Sequence, residues 1–428
     1  MRAPAARLGE FEGREVDVYG WVHRVRDLGG ITFVVLRDRS GLVQTVFEES
    51  VSYTLESVLR VSGPVVANEK APGGFEVHAT ETRVLAEADP SLPIAVNQST
   101  ADVGLEALLD NRMISLRNLD IRDVFLVQDR ILKHFADHMR GEEFTEIKTS
   151  KIIGTGTEGG TGLFEVDYFD STVYLAQSPQ FYKQAMVASG LERVFEIAPA
   201  YRAEKHETPR HLNEYVSLDV EMGFIETLEE LMDLEVRILS AVVEGLRTDI
   251  RERFNHDPFE ARGIPLPGVE ELSRIPRISH DEAKSIATEE SGKRVFEINP
   301  EAERDICAWA EREHGVAAAF VTGFPRRKRP FYTMPDGQKT KSFDLLFRGL
   351  EITTGGLRLY RYDDLLEALP KFGLSAEALA DYLSIFKYGC PPHGGFAIGL
   401  ERLTQKLLGL TNVKEATLFP RDRRRVRP

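Results

Sequence analysis

The stretch EYVSLDVEMGF (214–224) alternates strictly: Val216, Leu218, Val220 and Met222 fall on one face of an extended chain, and Ser217, Asp219 and Glu221 fall on the other. Successive side chains of a strand point to opposite faces, and a parallel strand buried on both faces reads as a continuous apolar run. The alternation therefore predicts an antiparallel strand with one polar face. Around it strands and helices follow one another without a regular βαβ rhythm, so this part of the chain is expected to be α+β, an antiparallel sheet with helices behind it. Upstream, IRDVFLVQDRILKHFADHMR (121–140) has apolar residues at 121, 124, 125, 131, 132, 135 and 139, which is helical spacing, with Gly141 as the stop. FTEIKTSKII (144–153) reads as a strand. Neither a P-loop nor a dinucleotide-binding fingerprint is present.

Residues 1–97 have another texture. VDVYGWV (16–22), ITFVVL (31–36), LVQTVF (42–47) and FEVHATETRVL (75–85) are β-branched and aromatic runs separated by turn residues. About five short strands in under 100 residues predict a five-stranded OB-fold barrel, the common small barrel for oligonucleotides. The segment SLPIAVNQSTADVGLEALLDNRMISLRN (91–118) mixes Pro, Ser, Asn and charge and reads as a linker with one short helical piece. The predicted organisation is thus a barrel over 1–97, a linker over 98–120 and an α+β domain over 121–428.

The chain has 428 residues, 42% hydrophobic and 29% charged, an ordinary globular composition with length for more than one core. No run of about 18 apolar residues predicts a membrane span. The N-terminus lacks an apolar signal region, which predicts a cytoplasmic protein. Cys307 and Cys390 form neither a disulfide framework nor a zinc spacing. The net charge of −14 argues against nucleic acid on average, though phosphate binding needs only a local basic surface. The C-terminal RDRRRVRP (421–428) is basic, and its plainest reading is a solvated, frayed end.

Four segments carry chemistry. YRAEKHETPRHLNEY (201–215) packs Arg202, Glu204, Lys205, His206, Arg210 and His211 between two apolar strands, suited to a polyphosphate because guanidinium groups bind phosphate bidentately. In KSFDLLFRGLEITTGGLR (341–358), a tight turn at Phe347–Arg348 would put Asp344 and Glu351 opposite each other on paired strands. Two carboxylates so close repel unless a cation intervenes, and Mg²⁺ bridging substrate phosphates is the economical answer. The plain alternative pairs them separately with Lys339, Lys341 or Arg348. In HGGFAIGLERLTQKLLGL (393–410) a glycine-rich strand leads into a helix. Gly394, Gly395 and Gly399 would allow close approach of a ligand, and Arg402, at the positive end of the helix dipole, points to an anionic or aromatic ligand. The fourth segment joins TGTEGGTGLFEV (155–166) to YLAQSPQFYKQ (174–184), with Glu158, Ser178, Gln180 and Lys183 as its polar set.

In this order the four segments resemble a class II aminoacyl-tRNA synthetase, and more narrowly the aspartyl-tRNA synthetases of archaeal and eukaryotic type: motif 1 over 121–153, QSPQ-x-x-K over 177–183, motif 2 over 195–215, then SFDLLFRGLEIT and motif 3 over 399–403. The resemblance implies ATP and Mg²⁺, L-aspartate, tRNA and a homodimer. It implies that Arg202 and Arg402 are catalytic, Arg202 on the α-phosphate and carboxylate and Arg402 stacked on adenine opposite Tyr215. Glu204 would meet the adenine amine. Arg210, His211 and Leu212 would line the triphosphate end, with Gly399, Leu400 and Glu401 completing the ATP site. Asp344, Glu351 and Thr354 would hold the metal. Glu158, Ser178 and Gln180 would bind the α-amino end of aspartate, with Thr354 nearby. Lys183 and Arg358 would take its side-chain carboxylate, and asparagine would leave those two cations unpaired.

For the barrel the resemblance implies anticodon binding: Phe33 stacking on a base, Gln44 bonding its edge, and the basic cluster Arg24, Arg26, Arg37 and Arg39 holding phosphates. For Phe33 alone a core aromatic is the plainer reading. His23 in the first strand, where strict aspartyl enzymes resemble GWVW, and Pro72 in a later loop resemble members that charge both tRNA(Asp) and tRNA(Asn). The plainer reading of His23 is a surface residue. Three departures stand out: Ser150 in place of the motif 1 proline, Gly162 ending TEGGTG, and Leu357 with Tyr360 around Arg358. The alternatives are a strictly tRNA(Asp)-specific enzyme, an asparaginyl enzyme or asparagine-forming relative, and an RNA-binding paralogue without catalysis.

Overall fold

The computed structural model describes residues 1–428 apart from 101, 155–161 and 255 and the side chains of 252 and 253. The chain divides into two compact units, 1–122 with 249–257, and 123–248 with 258–428.

The first unit is built on six strands: β1 (Glu15–Asp27), β2 (Thr32–Arg37), β3 (Leu42–Phe47), β4 (Val58–Ala67), β5 (Phe75–His78) and β6 (Glu81–Ala86). They pair in the order β1-β2-β3-β5-β4, β4 returns to β1, and β6 adds to β4. The five-stranded barrel is thereby closed, as expected for an OB-fold. Its core is the inward set Val16, Val18, Val22, Val34, Leu36, Val43, Leu59 and Val61. Strand β4 escaped the sequence reading. It contains Gly63-Pro64, residues that argue against a central strand. A Cβ on Gly63 would lie 1.8 Å from the His78 carbonyl oxygen, so the barrel wall requires glycine there. The run 75–85 proves to be two strands.

Helix α1 (Leu119–Gly141) starts where Asn118 Oδ1 accepts from the backbone N–H of Asp120 and Ile121, at 3.0 and 3.3 Å. In the second unit, β7 (Thr145–Glu146) follows it. The predicted strand over 144–153 is realised only as this pair and Ile152–Ile153. Then come α2 (Gln180–Met186), β8 (Arg193–Tyr201), β9 (Glu214–Gly223), α3 (Leu228–Arg253), β10 (Arg277–Ser279), α4 (His280–Ser291), α5 (Pro300–His314), β11 (Ala318–Thr322), β12 (Ser342–Phe347), β13 (Leu350–Leu357), β14 (His393–Gly399) and α6 (Leu400–Leu407). The sheet order is β10-β11-β12-β13-β14-β9-β8-β7. The six strands from β11 to β8 are antiparallel, as predicted for β9. The edges, β10 on β11 and β7 on β8, pair parallel, so the sheet is mixed.

Phe135 of α1 meets Phe195 of β8 edge-on, ring centroids 5.7 Å apart, behind the sheet. Helices α4 and α5 pack Ala283, Ala287, Ile306 and Ala310 against Ala319, Val321 and Leu346. Val321 pairs with Asp344 and Ala319 with Leu346, which puts these two helices on the face that carries Asp344. The expectation of helices only behind the sheet is corrected: one edge of the front is walled as well. Among the described residues no helix is long and apolar enough to cross a membrane.

Candidate active site

The polar face of β9 is the floor of the site, and it is buried rather than wet. Ser217, Asp219 and Glu221 are 2%, 1% and 0% exposed. Register carries the floor sideways. Asp344 pairs with Thr354, Thr354 with Ala397, Ala397 with Asp219, and Asp219 with Glu196, so one row of five residues crosses five strands.

Over one end of that floor lies a cleft of about 180 Å³. The loop between β8 and β9 supplies Arg202, Glu204, Arg210, His211 and Leu212, β9 supplies Tyr215, and α6 with its leading glycine supplies Gly399, Glu401 and Arg402. The sequence reading named all nine. Leu400 has its side chain in the core, 1% exposed, and does not line the cleft. The Arg202 guanidinium sits 5.4 Å from the centroid of the Tyr215 ring, a cation–π distance. Arg402 donates to the Glu351 carbonyl at 2.9 Å and reaches its Oε1 at 3.4 Å. Glu401 accepts from the Val216 N–H through both carboxylate oxygens at 3.1 Å, and burial pushes its carboxyl up to about 8. Burial, with Arg402 near, lowers the pKa of His211.

The sequence reading missed Glu303. From α5 its Oε1 takes Arg210 at 2.9 Å and its Oε2 takes the Glu351 N–H at 3.1 Å, tying the arginine loop to the β12–β13 hairpin. Nothing in the acidic run of that helix marks it out beforehand.

The hairpin register differs from the expected one. The turn lies at Arg348–Gly349, both at positive φ, so Phe347 pairs with Leu350 and Leu346 with Glu351. Leu345 then pairs with Thr353, leaving Ile352 as an extra residue, a β-bulge. Asp344 therefore opposes Thr354, not Glu351. The bulge nevertheless returns Glu351 to the front, where its Oε1 is 3.4 Å from Thr354 Oγ1. Neither carboxylate uses Lys339, Lys341 or Arg348. Asp344 pairs with Arg329 at 2.7 Å and Glu351 with Arg402, while Lys339 goes to Asp281 and Arg348 to backbone carbonyls. Burial pushes the Asp344 pKa up, Arg329 opposes this, and Glu351 adds to it. Among the described residues no three His, Cys, Asp or Glu side chains could together hold a metal. Mg²⁺ needs fewer, since it takes one or two carboxylates and completes its shell with phosphate and water. Asp344, Glu351 and Thr354 on one face fit that requirement.

At the other end of the floor the cations are not free. Lys183, 2% exposed, pairs with Asp219 at 2.9 Å and Glu221 at 3.3 Å. Arg358 donates to both oxygens of Glu221 at 2.8 and 3.1 Å, to the Gly395 carbonyl at 2.9 Å, and reaches Gln180 Oε1 at 3.4 Å. Burial opposes ionisation of Glu221, but Arg358 and Lys183 overcome it and bring the pKa down to about 2. The expectation that asparagine would leave two unpaired cations is therefore corrected: two internal carboxylates already balance them. Asp219 Oδ2, buried and without a hydrogen-bond partner, is an acceptor on this floor that the sequence reading did not assign. Ser178 Oγ accepts from the Gln180 N–H at 3.1 Å. Glu158 lies outside the described residues. Gly394 and Gly395 do not leave room for a ligand. A Cβ on Gly395 would lie 2.1 Å from the Val220 carbonyl oxygen, and one on Gly394 would lie 2.9 Å from that of Gly356.

On the barrel, Arg26 pairs with Phe33 across β1–β2 and Val35 pairs with Gln44 across β2–β3, so Arg26, Phe33 and Gln44 share one face. That face is not the core face of Val34 and Leu36, and Phe33 is half-buried. Gln44 donates to Glu76 at 2.8 Å. Two expectations are corrected. Arg37 is buried in a bidentate pair with Glu56 at 2.9 and 2.7 Å and does not belong to a phosphate-binding surface. His23 is no surface residue. It is 8% exposed, its Nδ1 lies 3.2 Å from Arg37 Nη1, and burial lowers its pKa. Pro72 stands in the turn before β5 and lines a cavity with Gly41, Leu42 and Phe75.

Comparison with known proteins joins these two units. Residues 104–423 match the family model of class II tRNA synthetases (D, K and N), and residues 16–85 match that of the OB-fold nucleic acid binding domain. The chain is 48% identical to the Aspartate--tRNA(Asp/Asn) ligase of Thermus thermophilus, with 100% of each chain covered. It is 40% identical to the Aspartate--tRNA(Asp) ligase of Pyrococcus horikoshii, over 98% of this chain and 97% of the other. The asparaginyl-tRNA synthetase of Pyrococcus horikoshii, solved with asparaginyl-adenylate, superposes with a TM-score of 0.89 at 29% identity, covering 98% of this chain and 97% of that one. The matches run over both units and nearly the whole length, and the chain belongs to the class II aminoacyl-tRNA synthetases, in the group of the aspartate–tRNA ligases.

Proposed function

We propose that the protein is an aspartate–tRNA ligase that activates L-aspartate with ATP and charges both tRNA(Asp) and tRNA(Asn). The convergence of Arg202, Arg402 and Glu351 on one cleft beside the Lys183–Asp219–Glu221–Arg358 cluster carries the reading. An aspartate carboxylate oxygen attacks the α-phosphorus of ATP, a P–O bond forms, and the bond to pyrophosphate breaks. Arg202 meets the charge that grows on the α-phosphate. Arg402, fixed by Glu351, faces the nucleotide from the other wall. Arg210 stands at the triphosphate end, aimed by Glu303. Such a step needs positioning and charge stabilisation, with no covalent enzyme intermediate. Asp344, Glu351 and Thr354 would hold Mg²⁺, which when bound neutralises phosphate charge. Asp219 Oδ2, with Ser178, Gln180 and Glu158, would receive the ammonium group of the amino acid. Lys183 and Arg358 would face its side-chain carboxylate, and Asp219 and Glu221 set how much positive charge is left for it. The terminal adenosine hydroxyl of tRNA then attacks the acyl carbon and releases AMP.

Phe33, Gln44 and Arg26 on one barrel face support anticodon reading. Relaxed tRNA choice rests on His23, on Pro72 and on the name of the Thermus relative. Since His23 is buried, it would act through Arg37 and the barrel wall rather than by touching a base. A homodimer in the cytoplasm completes the reading, supported by the motif 1 likeness of residues 121–153.

Pyrophosphate exchange with aspartate and with asparagine tests the amino acid, and exchange only with asparagine would reject aspartate. Charging of purified tRNA(Asp) and tRNA(Asn) tests the tRNA choice. One well-read base is worth about 1–3 kcal/mol, so a preference above about a thousandfold would mean strict specificity.

A further inference from the structure

The last eight residues hold five arginines in a chain of net charge −14. They do not fray. The buried Asp422 carboxylate accepts from the backbone N–H of Arg424 and Arg425, both at 2.8 Å, and pairs with Lys414 at 2.5 Å. The Arg421 carbonyl accepts from the Asn213 N–H at 2.8 Å, and Arg421 forms a β-bridge with Glu214. Arg424 meets Glu207 at 3.2 Å. The tail is thus strapped along the loop whose Arg202, Glu204 and Arg210 wall the cleft. Val413 lines the cleft as well, and its N–H donates to the Pro209 carbonyl at 2.8 Å.

Arg423 and Arg427 are exposed, and among the described residues they meet no carboxylate. Lys205, on the same loop, is exposed too. Guanidinium groups exposed without counter-charge add nothing to the fold, but they suit a phosphate backbone. A small nucleotide enters the cleft itself. A polyanion that arrives from outside and delivers one end into the cleft would meet this rim first.

We propose that Arg423 and Arg427, with Lys205, form a phosphodiester-binding rim that seats the acceptor end of tRNA over the cleft. The proposal rests on the tRNA-charging reading above, and it gives the basic tail a partner.

The test uses the full-length double variant R423E/R427E, with R423Q/R427Q beside it. Binding of an acceptor-stem minihelix ending in CCA and of an isolated anticodon stem-loop is measured across a salt series, with aspartate-dependent pyrophosphate exchange as the control for folding. The glutamate variant is expected to bind the minihelix about tenfold more weakly or worse, and both variants should show a salt slope shallower by about 1 to 2. Anticodon stem-loop binding and exchange should stay at the wild-type level. Unchanged minihelix binding, equal weakening of both RNAs, or loss of exchange in both variants would each overturn the rim. If the wild-type protein charged no tRNA, the functional reading would fall and the rim with it. Normal charging with an unaffected minihelix would remove the rim alone.

Discussion

Arg358 and Glu221 show what a single buried pair demands. Glu221 is 0% exposed and is ionised only because Arg358 and Lys183 flank it. Replacing Arg358 by Gln strands part of that charge, and breaking a buried pair costs about 3–5 kcal/mol. Urea unfolding of R358Q should register that loss, and an unchanged midpoint would refute the network. Glu401 makes a prediction of opposite sign. Its pKa rises from 4.5 to about 8, so between those values the folded protein keeps a proton that the unfolded chain releases. Stability falls as pH rises through that window. The E401Q variant should show a flatter thermal midpoint between pH 5 and 8 than the wild type does. At this scale much was legible. The types and spacing of Arg202, Glu204, Arg210 and Arg402 already suited a nucleotide. The counter-charges were not legible, because Lys183 finds Asp219 36 residues away and Arg358 finds Glu221 137 residues away.

Among elements, β14 is the most constrained. Gly395 faces Gly356 on one side and Glu221 on the other. A Cβ there would lie 2.2 Å from Glu221 Oε2. G395A should cost about 2 kcal/mol or more, because overpacking a filled core forces backbone shifts, and it should weaken aspartate binding along with stability. A variant as stable as the wild type would show that the strand has slack. The alternation of β9 revealed its antiparallel pairing, yet not that its polar face lies buried under a site, since that depends on which strands flank it. Strand β4 was hidden by Gly63-Pro64, whose need for small size appears only where the barrel closes on His78.

For the whole molecule, the proposed function divides the labour between the two units. Phe33 on the barrel is remote in sequence from every group that lines the cleft. F33A should lower tRNA charging by about tenfold or more, since stacking on an aromatic is worth about 1–3 kcal/mol per base. Aspartate-dependent pyrophosphate exchange should not change, and a parallel loss of both activities would count against a barrel that reads only RNA. The two-unit plan was visible in composition, from the short β runs of the first hundred residues to the mixed pattern after them. The surplus residue Ile352 was not visible, since it looks like any other strand isoleucine. Its consequence reaches furthest. If the strand ran through Ile352 without the bulge, parity would set Glu351 on the face opposite Thr354, and the acid would turn towards the reverse of the sheet. A one-codon deletion at Ile352 would remove the bulge and its surplus residue together, leaving Glu351 two places from Thr354 and on the same face, so it is the bulge and not the isoleucine itself that keeps the acid over the cleft.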